Sequence, residues 1–344
     1  MSISTLTDRE TLRSRNARAV PADWQRSLRE AIRTLAELLE VVEIDSDNIA
    51  GFQPGSGEFP LLVPRSFAAR MRKGDPGDPL LRQVLPDLRE RLETDGFGPD
   101  PLHEIDLARN GVLKKYAGRA LLVTTQACPI HCRYCFRRHF PYPGQLATRQ
   151  KWEPALNELR GSPDLSEIIL SGGDPLSLSN QTLREFIVQI EQLESVHTLR
   201  IHSRFPIILP ERVDSGLLET LTETRLKTVL VVHCNHVNEI DASVHAGLAA
   251  LRSTNTLLLN QSVLLAGVND TLDTLEALSR GLFDCGVLPY YLHLLDPVAG
   301  AAHFDVPESR ARVLTTGLRQ QLPGYLVPRL VREEPERPSK TILM

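Results

Sequence analysis

No apolar run in this chain approaches the ~20 residues that a membrane-spanning helix needs; the longest, such as TVLVV at 228–232, are far shorter. The first residues, MSISTLTDRE, lack a basic segment followed by an apolar core, so no secretory signal is expected. Charge of one sign is also missing. The 39 basic residues face 43 acidic ones, a net charge of −4, which excludes nucleic-acid binding driven by bulk charge. A cytoplasmic protein with no membrane or nucleic-acid partner is the expectation. Aromatics are scarce at 5%, yet 42% of residues are hydrophobic, so a large, mainly aliphatic core can form. Cysteines number only five in 344 residues, too few and too unevenly spread for a disulfide framework. Cys128, Cys132 and Cys135 crowd into one short segment, whereas Cys234 and Cys285 read as core thiols.

What is present divides the chain. Residues 22–44 repeat apolar positions at helical spacing and predict one amphipathic helix. A Gly/Pro-rich passage follows (AGFQPGSGEFPLLVPRSF), then short helices over 66–73 and 78–94 separated by GDPGDP. Together, residues 1–111 read as a helical and irregular cap. From residue 112 the pattern changes. RALLVTT (119–125), EIILSGG (167–173), TLRIHSR (198–204), KTVLVVHC (227–234), TLLLNQSVLL (256–265) and VLPYYLHLL (287–295) read as strands. Helical segments such as 180–193 and 273–285 lie between them. This alternation predicts an α/β fold, a parallel sheet of six βα units curled into a full or partial barrel over 112–322. In such folds the chemistry sits on loops at the C-terminal ends of the strands.

The suspicious residues fall there. Directly after the first of these strands, Cys128, Cys132 and Cys135 have C-x3-C-x2-C spacing on one tight loop. Three thiolates can hold an iron–sulfur cube and leave one iron without a protein ligand. The alternative is a structural zinc completed by His131 or His139. LSGGDPLSLS (170–179) follows the second strand, where glycines permit close backbone approach or simply form a turn. HCNHVNEID (233–241) follows the fourth, with histidines that either cap the strand end or face a ligand. NQSVLLAGVND (260–270) and HLLDPVAGAAHF (293–304), with Asp296, follow the fifth and sixth. The tail REEPERPSKTILM looks solvated and frayed, and judged locally Lys340 is an ordinary surface lysine.

The cysteine loop in a βα barrel resembles the radical S-adenosylmethionine enzymes. GDPGDPLLRQVLP, CRYCFRRHF, SGGDPL, NEI, LNQSVLLAGVND and PYYLHLLDPVAGAAHF together resemble, more narrowly, the lysine 2,3-aminomutase family. That resemblance implies a radical isomerase with three cofactors: a [4Fe-4S] cluster on Cys128, Cys132 and Cys135, S-adenosyl-L-methionine, and pyridoxal 5′-phosphate carried by Lys340. It implies an amino migration in lysine started by a 5′-deoxyadenosyl radical. It also implies roles for other residues. Lys115, where an arginine is usual, and Arg119 would hold the pyridoxal phosphate group. Ser171, Gly172, Gly173, Asp174 and Gln261 would line the S-adenosylmethionine site. Arg137 would take the substrate α-carboxylate. Asp296 and Glu333, the latter in place of an aspartate, would read the far ammonium, with Glu334 as the competing candidate. Residues 323–344 would form a last strand, over 324–332, and a proline-stiffened loop closing the mouth. The short C-terminal region without cysteines resembles the aminomutase that forms (R)-β-lysine for elongation factor P and its ligase. A reduced flavodoxin or ferredoxin would donate electrons, and a homo-oligomer is compatible with this reading. A free-lysine aminomutase of catabolism or biosynthesis is the nearer alternative; a zinc-stabilised binding module without radical chemistry is the distant one.

Overall fold

The structure, a computed structural model, describes residues 23–45, 59–107, 110–142, 146 and 152–344. The amino-terminal segment and much of the Gly/Pro-rich passage lie outside the described residues.

Seven strands run parallel and in chain order: β2 (Arg119–Thr125), β3 (Glu167–Gly172), β4 (Thr198–Ser203), β5 (Lys227–Val232), β6 (Leu257–Val263), β7 (Leu288–His293) and β8 (Arg329–Arg332). Short antiparallel strands flank them, β1 (Val112–Leu113) on β2 and β9 (Thr341–Ile342) on β8. The six predicted strands are all found, each within two residues of its expected limits. The last strand starts later than expected, because Gly324–Leu326 form a 3-10 turn. Helices at Trp152–Arg160, Asn180–Glu191, Ser215–Glu223, Ala242–Arg252, Leu272–Asp284 and Glu308–Gln321 make the six crossovers. Their leucine faces bury against the sheet, Leu183, Phe186, Ile187 and Ile190 of one helix being representative. Asp214, Asp241, Ser179 and Thr271 cap their helices by accepting a backbone N–H.

The sheet is a partial barrel. Among the described strands its two edges do not form a ladder with each other. Side chains bridge them instead: the Tyr116 hydroxyl and the Lys115 ammonium, beside β2, both reach Glu333 just after β8.

The cap departs from expectation. The single helix predicted over 22–44 is two, Asp23–Arg29 and Leu35–Val41. Between them Ile32 pairs its backbone with Val63, and Thr34 caps the second helix, so backbone pairing overrides a continuous apolar period. The helix expected over 66–73 shortens to Arg65–Ala68. Pro86 divides the one expected over 78–94 into Pro79–Arg82 and a 3-10 turn at Leu88–Arg91. Among the described residues no helix is long and apolar enough to cross a membrane.

Nor is the tail frayed. It returns as β9, with Leu343 N–H on the Leu330 carbonyl (2.8 Å) and Arg312 on the Leu343 carbonyl (2.7 Å). Leu343 and Met344 pack on the apolar cluster beneath β7 and β8.

Candidate functional site

The cysteine loop leaves the end of β2 and is clamped from two sides. On one side the cap holds it. The wholly buried Arg133 guanidinium pairs with Glu90 and donates to the Phe59 carbonyl (2.9 Å), while its N–H reaches the Gln83 carbonyl (2.9 Å). Arg138 joins the same Glu90 at 2.7 Å. On the other side the Gly172–Gly173 turn presses against the loop's entry. Gly172 has φ +128°, and a Cβ there would lie 2.6 Å from the Thr125 carbonyl; one on Gly173 would overlap the Ala127 carbonyl. Glycine here was expected for close approach to the backbone or for a turn; the structure shows close approach by the cysteine loop's own backbone, sealed by Asp174 N–H on Ala127 O at 2.7 Å.

Burial raises the Cys128 and Cys135 thiols, the latter to about 11, and the neighbouring cysteines raise both further. Three crowded thiols lose their protons together only if a cation takes up the charge, so this donor set fits a thiolate-bound metal centre. Of the two candidate zinc histidines, His131 holds Nδ1 on the Pro60 carbonyl (2.9 Å) and His139 holds Nε2 on the Ala299 carbonyl (3.2 Å). Among the described residues no three His, Cys, Asp or Glu side chains converge on a single-ion position. A cube asks for something different, one thiolate per iron.

Arg137 follows the cysteines in the loop and is buried. It pairs with Glu104 through Nε (2.7 Å) and Nη2 (3.2 Å), and its Nη1 donates to Ser171 Oγ (2.9 Å) and the Gly172 carbonyl (3.2 Å). Four of its five N–H groups are thus engaged in the ligand-free chain. Burial disfavours its charge, but Glu104 more than compensates, and the pKa is raised. Asp174, expected at the S-adenosylmethionine site, turns inward: it accepts from Ser203 Oγ (2.8 Å) and from the N–H groups of Arg204 (2.7 Å) and Leu176 (3.0 Å). Its carboxylate braces β3 against β4.

Lys340 enters the mouth beside the edge of β2. Its ammonium pairs with Glu333, which also accepts from the Tyr116 hydroxyl and lies 3.1 Å from Lys115. Burial alone would raise the Glu333 carboxyl; Lys340 and Lys115 outweigh it and hold it at about 2. Glu334 turns aside to the Thr341 hydroxyl. Burial pushes Asp296 up to about 7, with Glu333 and Glu104 adding to the rise and Lys340 and Lys115 opposing it. Arg119 lies 5.3 Å over the Tyr116 ring. Gln261 meets His293, whose imidazole burial and the Lys340 charge keep neutral. His202 and His233 stand ring against ring at 5.7 Å, each with a buried Nε2 that has no hydrogen-bond partner among the described residues. Burial depresses both, His233 to about 3, and Lys340 contributes to each. Orphaned ring nitrogens of this kind, beside a lysine and cations at the edge of β2, suit a polar aromatic ligand such as pyridoxal phosphate or an adenosyl group.

Residues 122–233 match the Radical SAM superfamily. The chain is 46% identical over 323 residues to the L-lysine 2,3-aminomutase of Escherichia coli (strain K12), covering 93% of this chain and 94% of that one. The corresponding protein of Haemophilus influenzae is 40% identical, with 93% and 95% covered. That of Clostridium subterminale is 31% identical, with 94% of this chain and 78% of the relative covered. The chain belongs to the lysine 2,3-aminomutase family. It is an isomerase of the radical S-adenosylmethionine class, and its cofactors are a [4Fe-4S] cluster, S-adenosyl-L-methionine and pyridoxal 5′-phosphate.

Several site residues escape sequence reasoning. His202 and His293 are polar positions near the ends of apolar strands, a signal that was available. Tyr116 and Glu104 carry none, since the first lies in a turn and the second in the irregular cap. Gln83, Arg204 and Glu239 sit in quoted motifs without a role attached to them.

Proposed function

We propose that this chain converts (S)-α-lysine to (R)-β-lysine and that the product serves modification of elongation factor P through a separate ligase. The observation that carries the proposal is the meeting of Lys340, Glu333, Lys115 and Asp296 at the strand ends that also carry the cysteine loop. When bound, the cofactors supply removal of a non-acidic hydrogen and a conjugated acceptor for the migrating nitrogen.

The chain's own residues supply position and charge. Cys128, Cys132 and Cys135 hold iron. Lys340 carries the pyridoxal group, with Lys115 and Arg119 toward its phosphate. Ser171, Gly172, Gly173 and Gln261 line the S-adenosylmethionine side, Asp174 supporting them from behind. Arg137 takes the lysine carboxylate with its remaining N–H and by exchange with Glu104. Asp296 and Glu333 would read the far ammonium, Glu333 being paired with Lys340 and Lys115 in this chain. The partial barrel and its hairpin limit water around these groups. A low-potential donor, reduced flavodoxin or ferredoxin in the cytoplasm, fits the cluster's need for electrons. Higher identity to the relatives matched nearly end to end than to the clostridial one supports the elongation factor role.

The test is an anaerobic assay of the reconstituted chain with (S)-α-lysine, resolving position and configuration of the product amine. (R)-β-lysine that the ligase accepts for elongation factor P is expected. Unchanged lysine from protein with full iron, sulfide and pyridoxal content would overturn the assignment, and the (S) product would overturn its finer part.

A further inference from the structure

Arg204 follows β4 and is buried, at 8% exposure. Each of its five N–H groups has a partner. Nε donates to the His233 carbonyl (3.3 Å), Nη2 to Gln83 Oε1 (3.1 Å) and Glu239 Oε2 (3.0 Å), and Nη1 to the Tyr134 hydroxyl (2.9 Å) and to Cys132 Sγ (2.7 Å). The partners are fixed in turn. Glu239 is wholly buried and also accepts from Gln83 Nε2 (3.1 Å), Asn235 N (2.9 Å) and His236 N (3.0 Å). Asn235 donates to Tyr134 (2.6 Å) and to Gln83 (3.1 Å). Two stretches far from Arg204 in sequence, around residues 83 and 239, thus fix the guanidinium that reaches this sulfur. A guanidinium is costly to bury, and one carboxylate would suffice to neutralise it. Aiming one of its donors at Cys132 is a feature that charge neutrality does not require.

We propose that Arg204 is a positioning residue that sets the reduction potential of the iron–sulfur centre through Cys132. This rests on Cys132 being an iron ligand, as assigned above. Reduction adds one electron from a low-potential donor; no bond forms or breaks, and the added negative charge spreads in part onto the sulfurs. An N–H donor and a fixed positive charge at a ligand sulfur stabilise the reduced form more than the oxidised one. Arg204 therefore makes the cluster easier to reduce.

The test uses the anaerobically reconstituted full chain, titrated with dithionite and followed by electron paramagnetic resonance. Glu239→Gln accompanies Arg204→Met so that no buried carboxylate is orphaned. At a fixed solution potential the ratio of reduced to oxidised cluster should fall about tenfold, which is about 59 mV for one electron. Fe–S(Cys) stretching bands should move up as the hydrogen bond is lost. Arg204→Lys, which keeps the charge but not the fork, should shift the same way by less, and it decides the matter alone if the double variant does not fold. A cluster-loaded Arg204 variant with the parent's potential overturns the inference. Cys132→Ala tests its foundation separately: retention of the parent's iron and sulfide would overturn the ligand assignment and this inference with it. Loss of the cluster there, with an unmoved potential in the Arg204 variants, would overturn this inference alone.

Discussion

Glu333 and Lys340 face each other across the β8–β9 hairpin, just beyond the pair Arg332 and Thr341, and their charged ends meet. The hairpin register, not the length of either side chain, brings the lysine to the barrel mouth. Lys340→Ala should abolish covalent attachment of pyridoxal, read as loss of its absorbance band and of the borohydride-trapped adduct. Iron and sulfide content should stay at parental levels. A trapped adduct on another lysine would remove Lys340 from its role.

Glu333→Gln leaves Lys115 and Lys340 side by side without their shared carboxylate. Breaking this largely buried set should lower stability by roughly 1–3 kcal/mol, discounted for the part exposure of Lys340. The depressed carboxyl adds stability that is present above its unfolded pKa and is lost as pH falls toward about 2. The variant should therefore show a shallower decline in denaturant midpoint between about pH 4 and pH 2 than the parent, the depressed Asp87 and Glu90 keeping their share. An identical acid limb would mean that Glu333 does not carry it.

Asp296 has the opposite sign. Its folded pKa, about 7, lies above the unfolded value, so between about pH 4 and pH 7 the native state holds the extra proton. Its contribution favours folding at low pH and is lost as pH rises through about 7. Asp296→Asn should flatten that slope relative to the parent, leaving the similar contribution of Asp174 in place. The same variant should raise KM for lysine about tenfold or more. An unaltered KM would take Asp296 out of the substrate site.

Gly173→Ala puts a methyl group against backbone, which cannot rotate aside. The cysteine loop has to move, at a cost of about 1–3 kcal/mol. We expect a lower Tm and less iron per chain after reconstitution, with pyridoxal attachment kept. Full iron loading would show that the loop's position does not depend on this contact.

Much of this was readable in advance because the signals were local. Apolar runs of β-branched residues and leucine marked the strands, and the spacing of Cys128, Cys132 and Cys135 marked the loop. The cap was misread because Ile32 finds a backbone partner 31 residues away, which a helical period does not encode. The GGD turn was placed correctly, but its close contact with the preceding loop was not legible, since that surface comes from residues 125–127. Lys340 could not be assigned from its own surroundings; only the pairing of β9 with β8 and the packing of Leu343 and Met344 turn a polar tail inward. The partners of Arg204 lie 29 or more residues from it in sequence, and no periodicity announces them.

The joint between the sheet's two edges has a mechanical meaning. Elsewhere around the wall, parting neighbouring strands would break rows of backbone hydrogen bonds. Between Tyr116, Lys115 and Glu333 it would break two side-chain contacts. Along that line the wall is closed by charge and hydroxyl instead of by a ladder, so its closure is tied to the protonation of a single carboxylate.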